Sequence, residues 1–146
     1  MQNRPVSDRD NATSGKILVV DDAADARRLF ARFLKAAGFS VKTAASGEEA
    51  LRAIAKEPPD LVMLDYEMPG LSGPQVCARI RASETVEIAG LPVILVTAHT
   101  DEEEEIRCLE AGANDFVTKP VSRAVLQARI QTQLRLRAYA RDLEEW

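Results

Sequence analysis

The chain has 146 residues, and its hydrophobic fraction of 46% is enough for a substantial core. Only 5% of the residues are aromatic, so this core must be mainly aliphatic. Its formal net charge of −4 gives no general attraction to nucleic acid or to anionic membranes, so we expect no direct contact with either. Because the sequence has no secretory segment and no apolar run of membrane-spanning length, we expect a cytoplasmic protein.

Short apolar runs predict strands, after a polar segment at residues 1–15 that we expect to be flexible. The predicted strands are residues 16–20, 39–44, 60–65, 91–96 and 114–117. Runs this short and this apolar are typical of strands that are buried on both faces, as in a parallel sheet.

Apolar residues at helical spacing predict a helix after each strand. They are Leu29, Phe33 and Leu34, then Leu51 and Ile54, then Val76, Cys77 and Ile80, then Ile106 and Leu109, and finally Leu126, Ile130 and Leu134. In the second and fourth helices we expect these residues to face the core. Ser46 and Glu49 predict a capping box at the second helix. Residues 83–90 are expected to form a polar connection, and Cys77 and Cys108 to be buried free thiols.

Alternation of buried strands with amphipathic helices predicts an α/β fold whose parallel sheet is covered on both faces. Five repeats suit the flavodoxin-like (βα)5 three-layer sandwich, with strand order 2-1-3-4-5. Its topological switch point lies between the first and third strands, which run into Asp21-Asp22 and into Asp65. Because ligands bind at this edge of such sheets, we expect these carboxylates to share one crevice.

The residue types at this edge indicate phosphoryl chemistry. Crowded carboxylates repel each other unless a cation lies among them, and Mg²⁺ (or Mn²⁺) takes carboxylate and phosphate oxygens as ligands. Lys119 follows the fifth strand as a point charge suited to phosphate, and Thr97 ends the fourth strand with a hydroxyl. The sequence has no glycine-rich phosphate loop, so it does not indicate a bound nucleotide. The set suits phosphoryl transfer to a carboxylate, which can form an aspartyl phosphate.

Four segments stand at the ends of predicted strands: residues 19–22 (VVDD), 64–73 (LDYEMPGLSG), 96–98 (VTA) and 112–120 (GANDFVTKP). Together they resemble the receiver domain of bacterial two-component response regulators, over about residues 16–136. The resemblance implies that Asp65 accepts a phosphoryl group from a histidine kinase or a phosphotransfer protein. It also implies that the chain catalyses only its own phosphorylation and dephosphorylation, and is not a turnover enzyme.

The same resemblance assigns the residues around Asp65. Asp21 and Asp22 match the acidic pair that holds Mg²⁺, with Asp22 favoured as the direct ligand. The backbone carbonyl of Glu67 matches the third protein ligand. Lys119 matches the lysine that contacts the phosphoryl oxygens, and its bond to Pro120 is usually cis in the family.

The resemblance also implies two residues that move on phosphorylation and two that tune hydrolysis of the acyl phosphate. Thr97 matches the hydroxyl that moves to the phosphoryl group, and Phe116 matches the aromatic residue whose rotamer follows it. In the family, the positions of Glu67 and His99 tune hydrolysis of the acyl phosphate. Our hypothesis is that these two side chains together set the phosphoryl lifetime, with a solvated loop residue as the alternative for His99.

The last predicted helix, from about Ser122 toward Trp146, is longer than one receiver domain needs. An apolar stripe continues through Leu136, Tyr139 or Ala140, and Leu143, and it resembles the signalling helix that joins many receivers to a following domain. We expect residues 16–136 to form the receiver and residues 137–146 to extend the helix as a linker to an output domain. A frayed, solvated helix end is the alternative.

The resemblance implies two surfaces for a partner, which would be an output domain or a second copy of the chain. One is the face formed by the fourth helix, the fifth strand and the fifth helix, and the other is the last helix itself. Two other functions stay open. A phosphatase with an aspartate nucleophile would need a second aspartate where this chain has Glu67, and a receiver-like interaction module would never be phosphorylated.

Overall fold

The computed structural model describes residues 15–98 and 101–144. The strands are β1 Lys16–Val20, β2 Ser40–Ala44, β3 Leu61–Asp65, β4 Val93–Thr97 and β5 Asp115–Thr118. The long helices are α1 Ala24–Ala36, α2 Gly47–Lys56, α3 Gly73–Arg81, α4 Glu102–Glu110 and α5 Arg123–Glu144. Except for Gly15, the predicted flexible segment lies outside the described residues. Among the helices of the described part, none combines the length and the apolar character that crossing a bilayer requires.

The strands form one parallel sheet in the order β2-β1-β3-β4-β5, which confirms the predicted flavodoxin-like topology. Val20 of β1 pairs with Leu64 of β3, and Asp65 pairs with Val96 of β4. This register aligns the carboxyl ends of the three central strands, so the residues that follow them meet at one edge.

The sheet separates two apolar layers, because successive strand residues point to opposite faces. Leu18 and Val20 belong to the layer that α2, α3 and α4 cover, whereas Ile17 and Val19 belong to the layer under α1 and α5. Every residue of β3 and β4 is buried. Packing on both faces sets the backbone positions of Asp65 and Thr97 at the ends of these strands.

The inward face of α4 differs from the prediction. Ile106 and Leu109 are 45% and 60% exposed, so the expectation that they face the core is wrong. Cys108 is the residue of this helix that is buried, and Glu104, one turn earlier, is half-buried. Helical spacing identifies residues that share a face, but it does not say which face meets the sheet. Both Cys77 and Cys108 are buried and free, as predicted.

The helix starts also differ in detail. At α2, Ser46 Oγ accepts from the Glu49 amide at 3.1 Å, but Glu49 Oε2 accepts from Ala45 rather than from Ser46. The reciprocal capping box lies at α3, where Ser72 and Gln75 each bond the other's backbone amide, at 3.3 and 2.9 Å. It fixes the start of the helix that follows the Asp65 loop.

The predicted connection at residues 83–90 contains one helical turn, Val86–Ala89, and α5 contacts it. Arg137 donates to the carbonyl oxygens of Gly90 and Glu87 at 2.8 and 3.2 Å, and Arg141 pairs with the Glu87 carboxylate at 3.4 Å. Contacts between α5 and the rest of the fold therefore continue past residue 136. The stripe of Leu136, Tyr139 and Leu143 is exposed.

Candidate functional site

The carboxyl edge of the sheet gathers three aspartates at its switch point. Asp65, the last residue of β3, is 5% exposed, and Asp21, which follows β1, is 4% exposed. Asp22 is exposed. Carboxylate oxygens from Asp21, Asp22 and Asp65 lie within 4.8 Å of one another. The three carboxylates meet at this edge as predicted, and their oxygens are close enough together to share one hard divalent cation.

Asp21 and Asp22 are not equivalent. Asp21 Oδ1 accepts a hydrogen bond from the Ala23 amide at 2.9 Å, and the Asp21 carbonyl oxygen accepts one from Arg27 at 2.8 Å. The Asp21 side chain is thus committed in part to shaping the turn, whereas the exposed Asp22 carboxylate faces solvent. This difference supports the expectation that Asp22 is the direct metal ligand.

Lys119 reaches the same edge from the end of β5. Its Nζ lies 3.0 Å from Asp65 Oδ1, and its backbone amide donates to the Thr97 carbonyl oxygen at 2.8 Å. The peptide bond between Lys119 and Pro120 is cis, as the resemblance implies. The lysine side chain is 42% exposed, so the ammonium borders both the buried carboxylate and the solvent.

The electrostatics of the pair are set by burial and by neighbouring charges. Burial raises the pKa of Asp65, the hydrogen bond from Lys119 lowers it in part, and repulsion from Asp21 raises it again. Burial lowers the pKa of Lys119, but the hydrogen bond with Asp65 and the attraction of the aspartates outweigh this, so its pKa is raised. A cation among the carboxylates would relieve the repulsion that Asp21 and Asp22 impose on Asp65.

The residues predicted to switch lie next to this edge. Thr97, the last residue of β4, is 1% exposed. Phe116 of β5 is half-buried and packs against the apolar layer that α2, α3 and α4 cover. Glu67 is exposed on the loop after Asp65. His99 lies outside the described residues, so its predicted tuning role stays a prediction.

Three residues at the site were not found from the sequence. Arg27 holds the Asp21 backbone, and the Tyr66 backbone ties the Asp65 loop to β4 and α3 through the Val96 carbonyl oxygen and the Gly73 amide. Gly73 lets α3 begin against Asp65, because a Cβ atom at Gly73 would lie 2.5 Å from the Asp65 carbonyl oxygen. Of the three, only Gly73 has a sequence signal, since it stands at a helix start between Ser72 and Pro74.

The chain matches a known protein family and curated relatives. The model of the response regulator receiver domain family matches residues 17–131. Over 128 residues the chain is 44% identical to the transcriptional regulator ycf27 of Guillardia theta, a match that covers 88% of this chain and 48% of that protein. The chain spans about half the length of the curated relatives it matches first.

Solved structures show the same similarity. A structure described as a response regulator from Chloroflexus aurantiacus is 36% identical with a TM-score of 0.77, and the match covers 83% of this chain and 98% of that one. The receiver domain of a sensor histidine kinase from Pseudomonas aeruginosa is 30% identical with a TM-score of 0.76, over 83% and 98% of the two chains. That structure has a magnesium ion coordinated in its active-site cleft.

Proposed function

We propose that this chain, which belongs to the response regulator receiver domain family, takes a phosphoryl group onto Asp65 from the phosphohistidine of a histidine kinase or a phosphotransfer protein. The observation that carries the proposal is the buried carboxylate at the switch point, with Lys119 Nζ at 3.0 Å and two further carboxylates close by. Such a site offers a fixed nucleophile, a fixed cation and oxygen ligands for a metal ion.

In the transfer step, a carboxylate oxygen of Asp65 attacks the phosphorus atom. The P–N bond of the phosphohistidine breaks, and its electron pair stays on the imidazole nitrogen. The product is an acyl phosphate, and attack of water on the phosphorus later restores the carboxylate and releases phosphate. Catalysis of this kind is mostly positioning and neutralisation of charge, which is the role we assign to Lys119.

Asp21, Asp22, Asp65 and the backbone carbonyl of Glu67 would hold Mg²⁺. The bound ion would supply positive charge beside the phosphoryl oxygens. Support comes from the close approach of the carboxylate oxygens and from the magnesium ion in the receiver structure from Pseudomonas aeruginosa. Because Mn²⁺ also prefers oxygen ligands, the same residues would hold Mn²⁺ as well.

The output of the switch is also a proposal. Phosphorylation would shift an equilibrium between two conformations that the free protein already populates. Thr97 would move toward the phosphoryl group and Phe116 would follow, so that the face of α4, β5 and α5 changes for its partner. We assign residues 16–136 to the receiver and residues 137–146 to the helix extension that leads to an output domain or a second copy.

We retain the hypothesis that Glu67 and His99 set the phosphoryl lifetime. Glu67 is exposed on the loop two residues after Asp65, and its carboxylate would bind the metal, pair with Lys119 or repel the incoming group. Replacing each by a neutral residue and timing the loss of phosphate tests this hypothesis. Unchanged lifetimes in both variants would remove it.

The test of the main proposal is labelling by acetyl phosphate, with and without Mg²⁺. We expect wild type and Asp142→Asn, a control at an exposed position on α5, to be labelled only with Mg²⁺, and Asp65→Asn not to be labelled. Labelling that survives Asp65→Asn would remove the site assignment. A wild-type protein that is never labelled would favour the interaction module, and turnover of a small phosphate ester would favour the phosphatase.

A further inference from the structure

The loop after Asp65 is anchored at both of its ends. The Tyr66 amide donates to a carbonyl oxygen of β4 at 2.8 Å, and the Tyr66 carbonyl oxygen accepts from the Gly73 amide of α3 at 2.9 Å. Met68 is buried in the apolar layer that α2, α3 and α4 cover. Glu67, whose backbone carbonyl we assign to the metal ion, therefore stands between two anchored residues.

The same loop lies against the start of α2. Gly47, the first residue of α2, is buried, and a Cβ atom at this position would lie 2.9 Å from Leu71 Cβ and 3.4 Å from the Leu71 carbonyl oxygen. The next residue of the helix, Glu48, lies against Gly70, because a Cβ atom at Gly70 would lie 3.2 Å from Glu48 Oε2. The first two residues of α2 thus contact two successive residues of the loop.

The turn before α2 also contacts the other segment that carries proposed metal ligands. The Asp21 amide donates to the carbonyl oxygen of Ala44, the last residue of β2, at 3.2 Å. Side-chain hydrogen bonds of Ser46 and Glu49 to backbone amides, at 3.1 and 3.0 Å, shape the turn that follows. We call residues 44–48 the α2 brace, because they contact both segments.

Gly47 has no room for a side chain in this arrangement. The nearest atom to a Cβ atom there would be Val76 Cγ2 of α3, at 2.5 Å, followed by Leu71 Cβ. Val76 is fully buried and β-branched, so its side chain cannot turn away easily, whereas Leu71 lies half-buried on the loop. The φ of Gly47 is not positive, so the requirement for glycine comes from space alone. A larger residue at this position would therefore displace the loop.

We propose that the α2 brace positions the backbone carbonyl of Glu67 for the metal ion, and that Gly47 is the positioning residue, because it lets α2 begin against Leu71. This inference rests on the proposed function of the Asp65 site. The brace holds the loop and the Asp21 segment in one arrangement, so the oxygen ligands from both segments are in place before the ion arrives. Because coupling is reciprocal, binding of the ion stabilises the brace in turn.

The first test adds one methyl group at Gly47. We expect Gly47→Ala to bind Mg²⁺ about tenfold more weakly than wild type in a calorimetric titration, as for the loss of a residue that orients a metal ligand. Gly90→Ala is the matched control and should bind as wild type does, because a Cβ atom there would meet only the Val86 carbonyl oxygen, at 3.5 Å. A loss of stability alone would not change the affinity of the folded protein. Unchanged affinity in Gly47→Ala would overturn the proposal.

The second test separates the contact with the loop from the contact with α3. Val76→Ala removes the nearest atom, so the double variant Gly47→Ala/Val76→Ala has Leu71 as the nearest neighbour of the new methyl group. The double variant also provides room in the core if Gly47→Ala alone does not fold. We expect it to bind Mg²⁺ about tenfold more weakly than Val76→Ala does. Equal affinities of these two variants would show that Gly47 acts through α3, and would overturn the role of the loop contact.

The third measurement uses wild type. Mg²⁺ should slow amide exchange about fivefold in residues 66–73 and also in residues 45–50, and much less in residues 86–91 at the opposite edge of the sheet. Protection of the loop without protection of residues 45–50 would contradict the coupling between the brace and the metal ion.

Metal-free exchange keeps the brace separate from the proposed function. In Gly47→Ala without metal, the amides of Tyr66 and Gly73 should exchange about fivefold faster than in wild type, relative to the Leu91 amide of the same protein. A wild type that does not bind Mg²⁺ would refute the metal site of the proposed function, and the metal-free exchange would still decide whether the brace holds the loop. Binding of Mg²⁺ by wild type together with unchanged exchange at Tyr66 and Gly73 in Gly47→Ala would overturn the brace.

Discussion

Lys119 Nζ lies 3.0 Å from Asp65 Oδ1, at the ends of two strands that are not adjacent in the sheet. β4 separates β3 from β5, so the lysine side chain must reach across the end of β4, where Thr97 is buried. The ammonium therefore lies beside the carboxylate that we propose as the phosphoryl acceptor, where it would share that carboxylate with a bound metal ion.

Lys119→Met should separate metal binding from phosphorylation. Loss of the Lys119 ammonium should tighten Mg²⁺ binding, because the three carboxylates still repel each other and lose the protein cation that offsets this repulsion. Labelling by acetyl phosphate should fall about tenfold or more, since one charge-assisted hydrogen bond to the phosphoryl group is lost. Mg²⁺ titration and labelling rates measure the two effects. Lys56→Met, at an exposed position on α2, is the control, and a parallel loss of metal affinity and labelling would contradict the prediction.

Asp65 should make the stability of the metal-free protein depend on pH. Burial raises the pKa of Asp65 above its ordinary value of 3.8, and the ion pair with Lys119 offsets this only in part. The folded state therefore holds its proton to higher pH than the unfolded state does, and the contribution of Asp65 to stability falls as the pH rises through the folded pKa.

The measurement is urea unfolding with a chelator present, from about pH 3.8 to neutral pH. We expect the difference in the free energy of unfolding between Asp65→Asn and wild type to grow in favour of the variant as the pH rises. A difference that stays constant over this interval, or that grows in favour of wild type, would refute the assignment. Excess Mg²⁺ should reduce the difference, because a bound cation stabilises the ionised carboxylate.

Asp21 and Asp22 should differ in what they stabilise. Asp22→Asn should weaken Mg²⁺ binding about tenfold or more and leave the free energy of unfolding almost unchanged, because the Asp22 side chain is exposed. Asp21→Ala should also destabilise the fold by about 1 kcal/mol, since the Ala23 amide loses its acceptor. Calorimetric Mg²⁺ titration and urea unfolding of both variants measure the contrast. Equal losses of stability would contradict it.

Arg81 should be a main stabiliser of the opposite edge of the sheet. Its guanidinium donates to the carbonyl oxygens of Gly112, Ala89 and Leu91 and to Asn114 Oδ1, at 2.6 to 2.9 Å. Arg81→Met should lower the free energy of unfolding by about 2 to 4 kcal/mol, because several part-buried acceptors lose a charged donor. Urea unfolding measures this. Arg79→Met, at an exposed neighbouring position, should change it by less than about 0.5 kcal/mol.

Arg137 should hold the end of α5 to the fold. Its guanidinium reaches the carbonyl oxygens of Gly90 and Glu87. Arg137→Met should speed amide exchange in residues 138–144 about fivefold and change the free energy of unfolding by about 1 kcal/mol or less. Arg135→Met, an exposed neighbour, is the control. Exchange at the wild-type rate would indicate that α5 keeps its place without this contact.

The errors in sequence interpretation have one physical origin. Periodicity reports which residues of a helix share a face, and α4 has two candidate faces: one carries Ile106 and Leu109, and the other carries Cys108 and Glu104. The sequence interpretation chose the face with the larger apolar residues. In the structure Cys108, on the other face, is buried and Glu104 is half-buried. At α2, the spacing of Ser46 and Glu49 was correct for a capping box, but the carboxylate bonds Ala45 instead. A local sequence pattern does not determine which of two neighbouring backbone amides a side chain bonds.

The sequence by itself determined the order of strands and helices, the parallel sheet, and the meeting of Asp21, Asp22, Asp65, Thr97 and Lys119 at one edge. It could do so because burial periodicity is local, and because the rules for connecting parallel strands leave few arrangements of five repeats. Only the tertiary structure decided that Ala23 and Arg27 occupy polar atoms of Asp21. It also decided that Arg137 reaches the turn before β4. These contacts join side chains to groups on other elements, and their geometry is fixed only when the elements pack.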